Sequence, residues 1–201
     1  MSPPPPLPAD QQRALEQAYA TPPRAYHHFG HVQEVLARFD EVAAGPGWHQ
    51  PDEVRWAILY HDAIYEAGRR DNEARSADLA LEHLRRWPPP QALDGERVAA
   101  LIRLTAAHGR LGPEDVDREA ALFLDCDMAI LGASAEAFAA YDRAIASEYR
   151  GKVPGFVFRL NRRRFLKALL AKPRIYLSDF FHERLDAAAR NNLRRAINHK
   201  Q

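Results

Sequence analysis

The sequence predicts an all-α fold, a compact single-domain bundle of about eight helices. Three observations lead there. Apolar residues recur at steps of three and four through most of the 201 residues. No segment of useful length alternates in the manner of a half-buried strand, and no repeat period is visible. Proline and glycine clusters interrupt the pattern too often for a coiled coil. The length suits one domain better than two. Residues 1–8 read as a proline-rich extended tail and residues 9–201 as the domain.

Composition narrows the function classes. A hydrophobic share of 46% with 27% charged residues is that of a soluble globular chain. A formal net charge of +1 gives no overall bias toward nucleic acid or membrane. The single cysteine, Cys126, asks for no oxidising compartment. No signal-peptide pattern opens the chain, and no apolar run approaches the roughly 18 residues of a membrane span. The expectation is a cytoplasmic protein with no membrane partner.

Taken in order, Ala9 to Tyr19 has helical spacing, with Asp10 as its cap and Thr21-Pro22-Pro23 as its stop. The His-rich run Arg24 to His31 leads into a helix whose apolar stripe is Val32, Val35, Leu36, Phe39, Val42 and Ala43. His31 borders that stripe. After Gly45-Pro46-Gly47, Asp52 reads as the cap of a helix that places Val54, Ala57, Ile58, His61 and Tyr65 on one face, with Asp62 beside them. Asp71-Asn72 opens the next helix, directing Ala74, Ala77, Leu81 and Leu84 inward and leaving His83 solvated. Trp87-Pro88-Pro89-Pro90 ends it.

Val98, Leu101, Ile102 and Thr105 continue the period, and His108 falls on their stripe. From Glu114 or Asp115, Ala120, Phe123, Leu124, Asp127 and Leu131 share a face. Phe138, Tyr141, Ile145 and Tyr149 mark another helix, and two more cover Phe156 to Leu170 and Asp179 to Ala196.

His31, His61, Asp62 and Asp127 thus stand on or beside the buried stripes of three helices. A carboxylate at an apolar face is costly unless it is paired or metal-bound. Two imidazoles and two carboxylates make a mixed nitrogen and oxygen donor set. It suits one divalent transition ion such as Mn²⁺, Fe²⁺, Co²⁺, Ni²⁺ or Zn²⁺, with Mg²⁺ also admissible. Such an ion activates water near neutral pH. Asp125 competes with Asp127 for the ligand role from nearly the opposite side of its helix. His27 reads either as a group facing substrate or as a plain loop histidine.

The order His31, His61-Asp62, then Asp127 within Cys126-Asp127-Met128-Ala129-Ile130-Leu131-Gly132 resembles the signature of the HD superfamily of metal-dependent phosphohydrolases. Tyr26 to Val32, Trp56 to Tyr65, Asp71 to Ala77, Thr105 to His108, Arg174-Ile175-Tyr176 and Ala189 to Leu193 are similar to a bacterial subfamily of predicted HD phosphohydrolases. One departure is His28, where the pattern expects asparagine. The resemblance implies an α-helical HD domain, with His31, His61, Asp62 and Asp127 as metal ligands, and a chemistry without a substrate.

The expected activity is hydrolysis of a phosphate mono- or diester in a nucleotide or another small phosphorylated metabolite, with nucleic acid a less favoured partner. Asp62, Asp71, Glu73 and His108 are candidate catalytic groups. For Asp71 and Glu73 the competing reading is helix capping and dipole compensation. Arg69, Arg70, Arg75 and Lys152 are candidate phosphate clamps, and Arg159, Arg162, Arg163, Arg164 and Lys167 form a basic run. Three alternatives stay open: a di-iron oxygenase built on the same scaffold, a non-catalytic sensor or scaffold, and an enzyme acting on nucleic acid.

Overall fold

The structure is a computed structural model that describes residues 7–198; residues 1–6 of the proline-rich tail and residues 199–201 lie outside it. Among the described residues there are nine α-helices and no strand. They are α1 (Ala9–Ala20), α2 (Phe29–Ala44), α3 (Pro51–Tyr60), α4 (Asn72–Arg86), α5 (Gly95–Leu104), α6 (Arg118–Met128), α7 (Ala135–Glu148), α8 (Gly155–Ala171) and α9 (Asp179–Asn198). The all-α bundle is as expected, with one helix more than the expected count. No helix among these residues is long and apolar enough to cross a membrane.

Helix α3 is the axis of the molecule. Val54, Trp56, Ala57, Ile58, Leu59 and Tyr60 are all buried, so it is apolar on every side rather than along one stripe. It packs against α2, α4, α5 and α6. Its start is fixed by the buried Glu119 of α6, whose Oε2 accepts from the His49 and Gln50 amides at 2.9 Å each. Asp52, expected to cap α3, lies inside its first turn, because Pro51 already occupies the position that needs no donor. Asp10 likewise falls within α1, which follows Pro8, and its carboxylate turns to Arg13.

Three further expectations need correction. In helix α4, Ala77 is buried and Leu81 and Leu84 pack against the core as expected, but Ala74 is exposed, and Asn72, Ser76, Ala80 and His83 are buried beside them. His83, read as solvated, is only 6% exposed. Its Nδ1 meets the Tyr60 hydroxyl at 2.9 Å, and its ring stands edge-on to Trp87. Helix α6 begins at Arg118, where the Asp117 side chain caps the Ala120 amide, because Gly112-Pro113 first forms a separate short turn over Pro113–Asp115. Finally, α3 ends at Tyr60, so Tyr65 is not part of it.

The far side of α6 is locked to α9. Asp125 accepts from the Leu177 amide at 2.8 Å and from the amide and hydroxyl of Ser178 at 2.7 and 2.6 Å. Asn192 donates to the Leu131 and Ala133 carbonyls at 2.8 and 2.9 Å. Gly132 lets the chains approach this closely, since a Cβ there would stand 2.7 Å from Cβ of Leu185.

Candidate metal centre

Three helix ends bring the inward-facing polar groups together. His31 lies in the first turn of α2, where the His28 ring accepts from the Gly30 amide at 3.0 Å. That is the local capping an asparagine would supply. His61 is the residue at which α3 stops, and Asp62 follows it in the turn. Asp127 lies one residue before the end of α6. Two helix C-termini therefore converge on the group, and their dipoles favour a cation there.

His31 and His61 are 3% and 1% exposed. His31 Nε2 is 2.9 Å from Asp127 Oδ1 and 3.2 Å from His61 Nε2, which is itself 3.5 Å from the same carboxylate oxygen. Asp62 Oδ2 approaches the two imidazole nitrogens at 3.1 Å (His61) and 3.7 Å (His31). Neighbouring ligands on one ion with bonds near 2.1 Å are about 3.0 Å apart in octahedral and about 3.4 Å in tetrahedral geometry. The spacings among His31, His61 and Asp127 match those edges, while the 3.7 Å from Asp62 to His31 is longer than either. His31, His61 and Asp127 form a group that could hold a metal ion, with one donor atom from each within 4.8 Å of the others.

Protonation chemistry supports the same view. His61 Nδ1 is 2.8 Å from the Ile58 carbonyl, so it must carry the proton and donate. In the neutral ring this leaves the Nε2 lone pair facing the group, as a metal ligand requires. Burial alone would lower the His61 pKa, but the Asp62 and Asp127 carboxylates drive it well above its ordinary value. Burial would likewise raise the two carboxyls. The imidazoles hold both below the usual range, His61 and His27 acting on Asp62 and His61, His108 and His31 on Asp127. The field of the site thus attracts positive charge.

Asp127 uses both oxygens. Oδ1 faces His31 and His61, and Oδ2 is 2.6 Å from His108 Nε2. His108 follows the short Thr105–Ala107 turn beyond α5 and precedes Gly109, whose φ of 75° is the left-handed conformation that glycine tolerates.

The structure thus brings together His31, His61, Asp62, Asp127 and His108. Asp71 and Glu73 do not join this network. The Asp71 carboxylate is held by Arg69 at 2.7 and 2.8 Å, and Glu73 sits half-buried in the first turn of α4. Asp71 does not cap α4 with its side chain. Asp125 is occupied by Leu177 and Ser178. Of the candidate clamps, Arg69 pairs with Asp71 and Arg75 with Glu66, while Arg70 and Lys152 are exposed.

Two participants had not been expected. The Arg24 guanidinium donates to the carbonyls of Asp62 and Ala63 at 2.6 and 2.9 Å, and to those of His27 and Ala18 at 2.9 and 2.8 Å. It ties the His-rich run to the His61-Asp62 turn. Glu148, at the end of α7, accepts from the Tyr26 and His27 amides at 2.7 and 3.0 Å and meets His27 Nδ1 at 2.6 Å. His27 in turn stacks on Tyr65 at 4.0 Å. Burial opposes charge on His27, but Asp62 and Glu148 raise its pKa. Arg24 adjoins the His-rich run, which was a usable signal; Glu148 is 121 residues from His27 and carried none.

Comparisons with protein-family models, with curated proteins and with solved structures return no match.

Proposed function

We propose that the protein is a metal-dependent phosphohydrolase acting on a phosphate mono- or diester of a nucleotide or other small metabolite. The observation that carries this reading is the convergence of His31 Nε2, His61 Nε2 and Asp127 Oδ1 at the spacings of ligands on one metal ion; in this reading the ion is a divalent transition ion and Asp62 Oδ2, 3.1 Å from His61 Nε2, is its fourth donor. The likeness of these residues, in this order, to the HD signature supplies the reaction class.

An ion held by His31, His61, Asp62 and Asp127 would supply a Lewis acid for a phosphoryl oxygen and would make water more acidic there. The chain's own groups do the rest. Ile58 fixes the tautomer of His61, and His108 holds the far oxygen of Asp127, so that Oδ1 stays turned toward the imidazoles. His27, oriented by Glu148 through Nδ1 and steadied on Tyr65, can hold or give a proton at its other ring nitrogen. Arg24 keeps the Asp62 backbone in register.

The di-iron alternative asks for further histidines between the His61-Asp62 pair and Asp127. His83 is bound to Tyr60, which leaves His108 alone for that role. The test is a phosphate-release screen over nucleotides and sugar phosphates with Mn²⁺, Co²⁺, Ni²⁺ and Mg²⁺. Turnover by the wild type, abolished together with metal retention in Asp62→Ala, is the expected result. Full turnover by Asp62→Ala contradicts the mechanism.

A further inference from the structure

The near-neutral charge of the whole chain conceals a strong asymmetry. From Tyr149 to Ser178 there are nine lysines and arginines and no acidic residue; removing those nine from 28 leaves 19 against 27 acids, so the remainder carries −8. Helix α8 forms the middle of this segment. Leu166 and Leu169 bury its inner face, and Arg162 is turned inward to Asp142 at 2.9 Å and over the Tyr141 ring. Among the described residues, Arg162 is the one α8 cation held in an ion pair.

The outer face is different. Phe156 and Leu160 are 68% and 48% exposed, and they are the large exposed hydrophobic residues of the described chain. With Arg163 and Lys167 they form a line at steps of four, three and four, which is one helix face, flanked by the exposed Arg159 and Arg164. Two apolar side chains one helical turn apart are thus kept in water among cations that, among the described residues, make no ion pair.

We infer that this face of α8 docks on an anionic lipid bilayer, with Phe156 and Leu160 entering the headgroup boundary and Arg159, Arg163, Arg164 and Lys167 meeting lipid phosphates and carboxylates. Charge complementarity selects the partner class, and Leu160 selects within it. A single-stranded polynucleotide would use further exposed rings to stack its bases, and leucine offers none. A second copy of the chain placed twofold on this face would set like charges against each other.

The test is co-sedimentation of the full chain with vesicles of equal parts phosphatidylcholine and phosphatidylserine, against phosphatidylcholine alone. The expected result is sedimentation with the anionic vesicles only, lost at about 1 M salt, where screening acts within about 3 Å. Each arginine near such a surface is worth about fivefold in partitioning, so Arg163→Gln with Arg164→Gln weakens binding about 30-fold. Phe156→Ser with Leu160→Ser weakens it with no loss of helical circular dichroism, since both side chains are exposed. Failure to sediment with anionic vesicles, or unchanged binding in either variant pair, overturns the inference. So does tighter binding to a single-stranded oligonucleotide than to the vesicles.

Discussion

The Nε2 atoms of His31 and His61 lie 3.2 Å apart, while the other ring nitrogen of His61 is committed to the Ile58 carbonyl at 2.8 Å. Two imidazole lone pairs at that distance repel each other unless a positive charge stands between or beside them. The carboxylates of Asp62 and Asp127 supply the complementary negative charge from α3's terminal turn and from α6.

The Arg24 clamp gives the first prediction. Its guanidinium makes four hydrogen bonds to carbonyls, two of them on the turn that carries Asp62. Arg24→Met leaves these acceptors without a partner, at a cost of roughly 3–5 kcal/mol. Arg24→Lys recovers only part of this, because an ammonium cannot reproduce the planar fork. Urea denaturation of the three proteins measures the differences.

Much of the fold and part of the site could be read from the sequence, for identifiable reasons. His31, His61 and Asp127 keep step with apolar stripes, so periodicity alone turned them inward. The end of α3 could not be read that way, because neither glycine nor proline follows Tyr60. The turn is held instead by α4: Ser76 Oγ accepts from the Ile64 amide, and Asn72 exchanges two hydrogen bonds with the Glu66 backbone. The same two residues widen the buried face of α4 to the side that carries His83, and Ala74 is left exposed. Asp125 and Asp127 are alike in local sequence. Their separation depends on the segment leading into α9, whose Leu177 and Ser178 amides claim Asp125 from more than 50 residues away.

A second prediction concerns proton handling. Glu148→Gln keeps acceptor capacity for the Tyr26 and His27 amides but removes the charge opposite His27 Nδ1. In the proposed hydrolase kcat falls by about 10²-fold, within the usual range for an acid or base group. Metal content and KM stay near wild type. Loss of metal or a change confined to KM would assign Glu148 a purely structural role.

Acid stability gives a third. Burial would raise the Asp186 carboxyl, but the Ile175 amide at 2.6 Å and Arg190 at 2.5 Å hold it below its ordinary value. A depressed carboxyl stabilises the fold fully above the unfolded value of about 3.9, and that contribution is lost as pH falls through the folded value. Asp186→Asn therefore lowers stability at pH 7 and flattens the decline between about pH 5 and the acid limit. Thermal unfolding of both proteins across that range checks the slope.

Metal loading predicts a thermal shift as well. Free ion at about 100 times its dissociation constant adds roughly 2.7 kcal/mol. For a chain of this size that corresponds to a rise in Tm of roughly 5–10 °C. The rise is absent in His31→Ala, whose remaining donors no longer close the group.

The most direct measurement is the metal content of the purified chain by elemental analysis, alongside His61→Ala and Asp127→Ala. One divalent transition ion per wild-type chain, lost in both variants while their helical content is retained, is the predicted result. A wild-type chain that stays metal-free after incubation with Mn²⁺, Co²⁺, Ni²⁺ and Zn²⁺, or one that retains two irons, contradicts the account.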